Sequence, residues 1–236
     1  MAFSVQNWAR SSVSAAEPIV TLADASVVGC FREYNYYTAD SQSTVSASGY
    51  FNAGTAYNGV GTEVVTGDYV NVYSTTDSTL SVYRLTNTSG VITTSFVSGT
   101  VSARVAATAA QINAMYTTPI TLLAAPGANR QYIFLGANVT IDYGSAQFAS
   151  GGAMHVQYAT TTAGGGTKAS ATVADTVLTG ITADSSFTFI PAAVVATAVA
   201  SIVNQPLCLS NATGVFTTGT GSTAVIGITA AIVPTA

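Results

Sequence analysis

The sequence predicts an all-β chain of two antiparallel β domains, a small hairpin-rich one followed by a larger sandwich carrying one or two short helices. Three observations predict it. Short runs rich in Val, Tyr and Thr are separated by Asp, Asn and Gly, the pattern of strands joined by tight turns. Residues 131–143 alternate apolar and polar, as a strand with one buried face requires. Hydrophobic residues make up 48% of the chain, enough for a core and too many for a disordered segment.

In chain order, residues 1–40 read as an arm leading into a first β element. The arm holds the single tryptophan, Trp8, and ends on Glu33-Tyr-Asn-Tyr-Tyr37. Such a concentration of rings is expected to lie against its own domain or a neighbouring subunit. Residues 41–103 read as the small domain. Gly67-Asp68 introduces a strand from Tyr69 to Ser74, a turn at Thr76-Asp77 leads to a second from Thr79 to Leu85, and Asn87–Gly90 turns into a third from Val91 to Phe96. Alternation puts Val70 and Val72 on one face of the first strand and Tyr69, Asn71 and Tyr73 on the other.

Residues 104–236 read as the sandwich. It opens on a short helix capped by Thr108, with Ile112 and Met115 sharing a face. Strands are expected at 120–124, 131–143, 154–160, 172–178, 187–190, 207–209 and 224–233. The long one should place Ile133, Leu135, Ala137, Val139 and Ile141 on one side. Pro191 suits the first position of a second helix over 192–199. The run Thr162-Ala-Gly-Gly-Gly-Thr-Lys168 is expected to be an exposed flexible loop. No fixed-period repeat is present, which counts against a fibre shaft or solenoid.

Charge is the anomaly. Only 7% of residues are charged, against about 25% in ordinary soluble domains, and Lys168 is the only lysine. A surface kept wet by Thr, Ser, Asn and Gly lacks the repulsion that keeps proteins apart, so self-association is expected. The formal charge is −4, and Arg10, Arg32, Arg84, Arg104 and Arg130 are dispersed. Nucleic acid is therefore not an expected partner. The longest apolar stretch, 192–203, is too short and too threonine-marked to span a bilayer, so no membrane association is expected, and residues 1–10 carry no signal-peptide pattern.

Reactive groups are sparse. His155 sits in an alternating strand and reads as a satisfied strand residue. Cys30 and Cys208 lie in apolar contexts and read as buried free thiols, with a long-range disulfide as the alternative. One histidine and two distant cysteines cannot make a structural zinc site, and the Asp-rich calcium pattern is missing. Asp142, Glu63 and Asp68 are the least loop-like acids available for a carboxylate pair, though Asp68 after Gly67 is better read as a turn former. Gly164-Gly-Gly-Thr-Lys168 resembles a phosphate loop only superficially, since Thr167 precedes the lysine and no Ser or Thr follows it directly. The expectation is a non-enzymatic protein with no catalytic residue, no metal and no cofactor.

Two stretches carry a resemblance. Ser48-Gly-Tyr-Phe-Asn52, Gly67-Asp-Tyr-Val-Asn-Val-Tyr73 and Leu80-Ser-Val-Tyr-Arg-Leu85 look like a small β domain found near the start of phage particle proteins. Ala110–Met115, Thr118–Gly127 and Ile133–Gly144 are similar to tailed-phage structural proteins whose C-terminal domain is a jelly-roll-like sandwich. The resemblance implies a head decoration (cement) or head-fibre protein of the virion, assembled in the host cytoplasm. Such proteins are often homotrimers, with the major capsid protein or other virion proteins as partners. A tail or fibre protein that contributes to host-surface recognition is the alternative. No site residues come with the resemblance. The partner contacts expected from the residues themselves are in the arm and its lead-in: Trp8, Arg10, Tyr34, Tyr36 and Tyr37.

Overall fold

The structure, a computed structural model, describes residues 8–10, 33–45, 51, 66–76, 78–88, 91–193 and 198–235. Glu63 and Cys30 lie outside the described residues, as does most of the Ser48–Asn52 motif. The chain divides into two compact units, Met1–Gly99 and Thr100–Ala236.

The first unit contains β1 (Trp8–Arg10), β2 (Glu33–Thr38), α1 (Gln42–Val45), β3 (Tyr69–Ser74), β4 (Thr79–Thr88) and the start of β5 (Val91–Thr108). Its strands lie in the order β1-β2-β3-β4-β5. Strand β1 lies against its own domain: among the described strands it stands at the edge and pairs antiparallel with β2, Trp8 opposite Tyr36 and Arg10 opposite Tyr34. One pairing departs from the expected antiparallel pattern. β2 and β3 run parallel, Tyr34 beside Val70 and Tyr36 beside Val72. The long connection between residues 38 and 69 makes this possible, because parallel neighbours need a crossover rather than a hairpin.

The inward face of this sheet carries Tyr34, Tyr36, Val70, Val72, Tyr83, Leu85 and Ile92, packed with Val45 and Phe51. Tyr36 meets Phe51 edge-to-face at 5.5 Å between ring centres, and Tyr83 meets Phe96 at 5.6 Å. Each such pair adds about 0.5–1.5 kcal/mol beyond area burial. Tyr34 and Tyr36, expected as partner contacts, are thus core residues. The alternation that turns them inward also turns Tyr37 out.

The second unit is a β-sandwich. One sheet has the order β5-β13-β7-β10 and the other β6-β11-β9, where β6 is Ile120–Leu123, β7 Arg130–Asp142, β9 Met154–Tyr158, β10 Ser185–Phe189, β11 Leu207–Asn211 and β13 Thr223–Pro234. A small pair, β8 (Phe148–Ser150) with β12 (Phe216–Thr218), stands beside them. The chain passes between the sheets at nearly every connection, and the first strand of the unit neighbours its last. That winding is the jelly-roll form of the sandwich. The apolar faces meet along Val139 and Ile226 from one sheet and Met154 and Leu209 from the other. Ile112 of α2 (Ala109–Ala114) and Leu178 of α3 (Thr176–Thr179) close the interior.

α2 starts where the sequence places it. The Thr108 hydroxyl accepts from the Gln111 N–H, and the Gln111 side chain accepts from the Thr108 N–H, a reciprocal capping box. Three other expectations are corrected. The strand expected at 172–178 is a bridge at Val173 to Met154 followed by α3. Segment 168–173 therefore serves as an irregular fourth strand beside β9, tied by Met154–Val173 and Ala169–Val156 backbone bonds. No helix starts at Pro191, because Pro191 bridges Ser170 and the Ala192 N–H donates to Ala169. Residues 194–197 of that proposed helix lie outside the described residues.

The third correction concerns β7. Tyr132, Phe134, Ala137, Val139 and Ile141 face inward, whereas Ile133 and Leu135 are 47% and 49% exposed. Pairing with β13 explains the change of phase: Thr229 sits opposite Gly136, but the next residue, Ala230, sits opposite Phe134. Leu135 is the extra residue of a β-bulge, which moves everything before it to the other face.

Candidate interaction surfaces and a buried polar layer

On the first unit, alternation and register build one outward row. Tyr37 of β2 lies opposite Tyr73 of β3, and Tyr73 opposite Leu80 of β4. All three are exposed, at 60%, 42% and 44%. The two tyrosine rings are 5.9 Å apart and tilted by 56°. The next row holds Asn35, Asn71 and Val82, and the Asn71 amide donates to the Asn35 carbonyl at 3.1 Å. Neither row contains a charged residue. Of the arm-region contacts expected from the sequence, Tyr37 reaches this face, and Trp8 and Arg10 enter the unit through the backbone of β1.

On the second unit, Ile133 and Leu135 stand outward on β7, and Ile190, 61% exposed, follows the Phe189–Ala137 pair at the end of β10. The helical turn Val199–Ser201 carries exposed Val199 and is stitched to the start of β7 by the Gln131–Val203 bridge and the Asn204 N–H to Arg130 bond. This apolar face was missed in the sequence. Its signal was Gly136: an isolated glycine in a strand pattern marks a bulge.

The sheet β6-β11-β9 has two unlike faces. Leu207, Leu209, Val156 and Tyr158 point into the sandwich. Cys208 and Ser210 of β11, opposite Gln157 and His155 of β9, occupy the other face, and all four are buried. The glycine-rich run roofs this polar layer instead of extending as a free loop. Gln157 donates to the carbonyls of Ala159 and Thr161 and accepts from the Gly166 N–H, while Ala163 N–H donates to Tyr116.

The reactive groups are muted by burial. Burial pushes the Cys208 thiol up, with a contact to Thr121 opposing it, so this free, buried cysteine is a thiol rather than a nucleophilic thiolate. Burial first, and then the Lys168 charge, hold the His155 imidazole below its ordinary value. Neither of its nitrogens has a hydrogen-bond partner, which corrects the expectation of a satisfied ring. Asp68 is buried in the first unit, and its carbonyl accepts from the Leu85 N–H beside the Gly67 turn. Asp142 stands exposed at the end of β7 in the second. Among the described residues no group of three or more His, Cys, Asp or Glu could hold a metal, and no helix is long and apolar enough to cross a membrane.

No protein-family model matches the chain, and no curated protein matches it. Among solved structures, a chain of the cyanophage Pam1 capsid asymmetric unit is similar over 58% of this chain and 85% of its own length, with 14% identity and a TM-score of 0.33.

Proposed function

We propose that this chain is a non-catalytic structural component of a tailed-phage particle, one that decorates and stabilises the capsid surface through contacts between subunits. The observation that carries the reading is the exposed row Tyr37-Tyr73-Leu80 on the first unit, which holds no charged residue, together with exposed Ile133, Leu135 and Ile190 on the second. Interface centres are depleted in Lys and Glu and enriched in Tyr, and a chain with 7% charged residues has little to keep such faces apart. The phage resemblance of the Gly67–Leu85 and Ala110–Gly144 segments supplies the particle. A protein that binds only the assembled shell stabilises it by mass action, and several copies held together multiply the effect through avidity.

Locating the chain in a reconstruction of the purified particle tests this reading. Density on the head, with loss of the protein making heads more heat-labile, is the expected result. Density confined to the tail, with retention on host cells, would instead establish the host-recognition reading. For the expected homotrimer, light scattering should return three copies at micromolar concentration, and the double substitution Ile133→Lys with Leu135→Lys should weaken association about tenfold or more, as loss of one central contact does. A monodisperse monomer would remove the trimer.

A further inference from the structure

His155 and Gln157 stand two residues apart on the same face of β9, and both are fully buried under the glycine-rich roof. They differ in how their polar atoms are met. Gln157 binds the roof through both ends of its amide, whereas both imidazole nitrogens of His155 are without a hydrogen-bond partner. The Gln157 side chain and the Gly164 backbone lie near enough to favour the charged ring slightly, but burial and Lys168 outweigh them.

The roof sits directly on the ring. Gly164 has φ +63°, and a Cβ there would fall 2.8 Å from His155 Cε1, so the close approach needs glycine. On β11, Ser210 lies opposite His155, and the titratable Cys208 lies opposite Gln157. The roof contributes Lys168, which bridges Gln157, and Tyr116 contributes its carbonyl to Ala163. The charge that acts on the ring is thus positive, and no carboxylate among the described residues is a source of relief. A neutral imidazole can stay in this place. An imidazolium would hold its charge away from water and beside Lys168, a cost that Gln157 and Gly164 offset only in part.

We propose that His155 is an acid-sensitive catch for the 161–167 roof: the neutral ring lets the roof close on Gly164, and protonation opens it. The sign follows from linkage. In the open chain the ring titrates near its ordinary value of about 6.5, and in the closed form below it, so the catch is fully set above about pH 6.5 and is lost as pH falls from there toward the closed-form value. Each pH unit in that interval should raise the open population by up to about tenfold. The inference is independent of which surface meets a partner.

Hydrogen exchange of the Ala163, Gly165 and Gly166 amides in the full-length, tag-free chain tests it, with rates corrected for intrinsic pH dependence. Protection of these amides should fall by up to about fivefold between pH 6.5 and 5.5 while amides of β7 and β13 keep theirs, and His155→Leu should abolish the dependence. Unchanged roof protection, or a loss that persists in His155→Leu, overturns the proposal. Should that variant not fold, the chain's single histidine still gives one ring resonance. Titration below pH 6.5 together with the roof amides supports the catch, and a midpoint at or above 6.5 overturns it.

Discussion

The outward face of β2–β4 and the outward face at the start of β7 both put large apolar side chains in water, but they are made by different means. In the first, strict alternation sends Tyr34 and Tyr36 inward and Tyr37 outward, and register lines up Tyr37, Tyr73 and Leu80. In the second, alternation alone would bury Ile133 and Leu135 with Val139. One extra residue opposite β13 reverses the phase and brings Tyr132 and Phe134 in instead. Which face a residue takes is thus a local property in β2 and a property of pairing in β7. An apolar residue in a strand is therefore weak guidance to burial until its partner strand is known.

The sharpest way to break this comparison is to delete residues from β7. Removing Val139 should turn Thr140 inward and Ile141 outward and abolish folding of the second unit, since every later side chain changes face. Removing Leu135 should leave Tyr132, Phe134, Ala137, Val139 and Ile141 inward and cost only about 1–2 kcal/mol, within the range of ordinary single changes. Far-UV circular dichroism and thermal melts of the two deletions separate these outcomes, and equal damage would show that the bulge does not set the phase.

A smaller contrast lies within β2. Tyr36→Ala removes a ring packed edge-to-face on Phe51 and should cost about 3–5 kcal/mol, as large-to-small core changes do. Tyr37→Ala should stay within about 0.5 kcal/mol, as expected of surface changes. Urea denaturation of the two variants measures the difference. The smallest effect is the coupling between Tyr37 and Tyr73, a few tenths of a kcal/mol, on the order of 0.3, in a double-mutant cycle. A coupling near zero would mean that the exposed row is held by register alone.

The sequence foretold those elements whose determinants are local. Val70 and Val72 inward against Tyr69, Asn71 and Tyr73, the turn at Gly67-Asp68, and the helix capped by Thr108 all follow from side-chain period, glycine and a hydroxyl cap, each decided within a few residues. The Val and Thr content of 172–178 is strand-like, but only Val173 pairs there, by an isolated bridge to Met154, and Thr176–Thr179 turns into a helix. Gly164-Gly-Gly166, in the roof over His155, has the composition of a flexible linker. What makes those glycines structural is the close approach of His155 and Gln157 from a different strand.

By itself, then, the sequence determined that this chain is all-β, that its first unit is built from short aromatic-rich strands and its second from a longer sandwich, and that its surface carries little charge. Tertiary structure alone decided that β2 and β3 run parallel, that Leu135 is a bulge which puts Ile133 in water, and that His155 lies unpartnered beneath glycine. The physical reason is range. Period, turn and cap energies act between neighbours in the chain, whereas register, bulge phase and desolvation depend on strands that meet only when the sheets close.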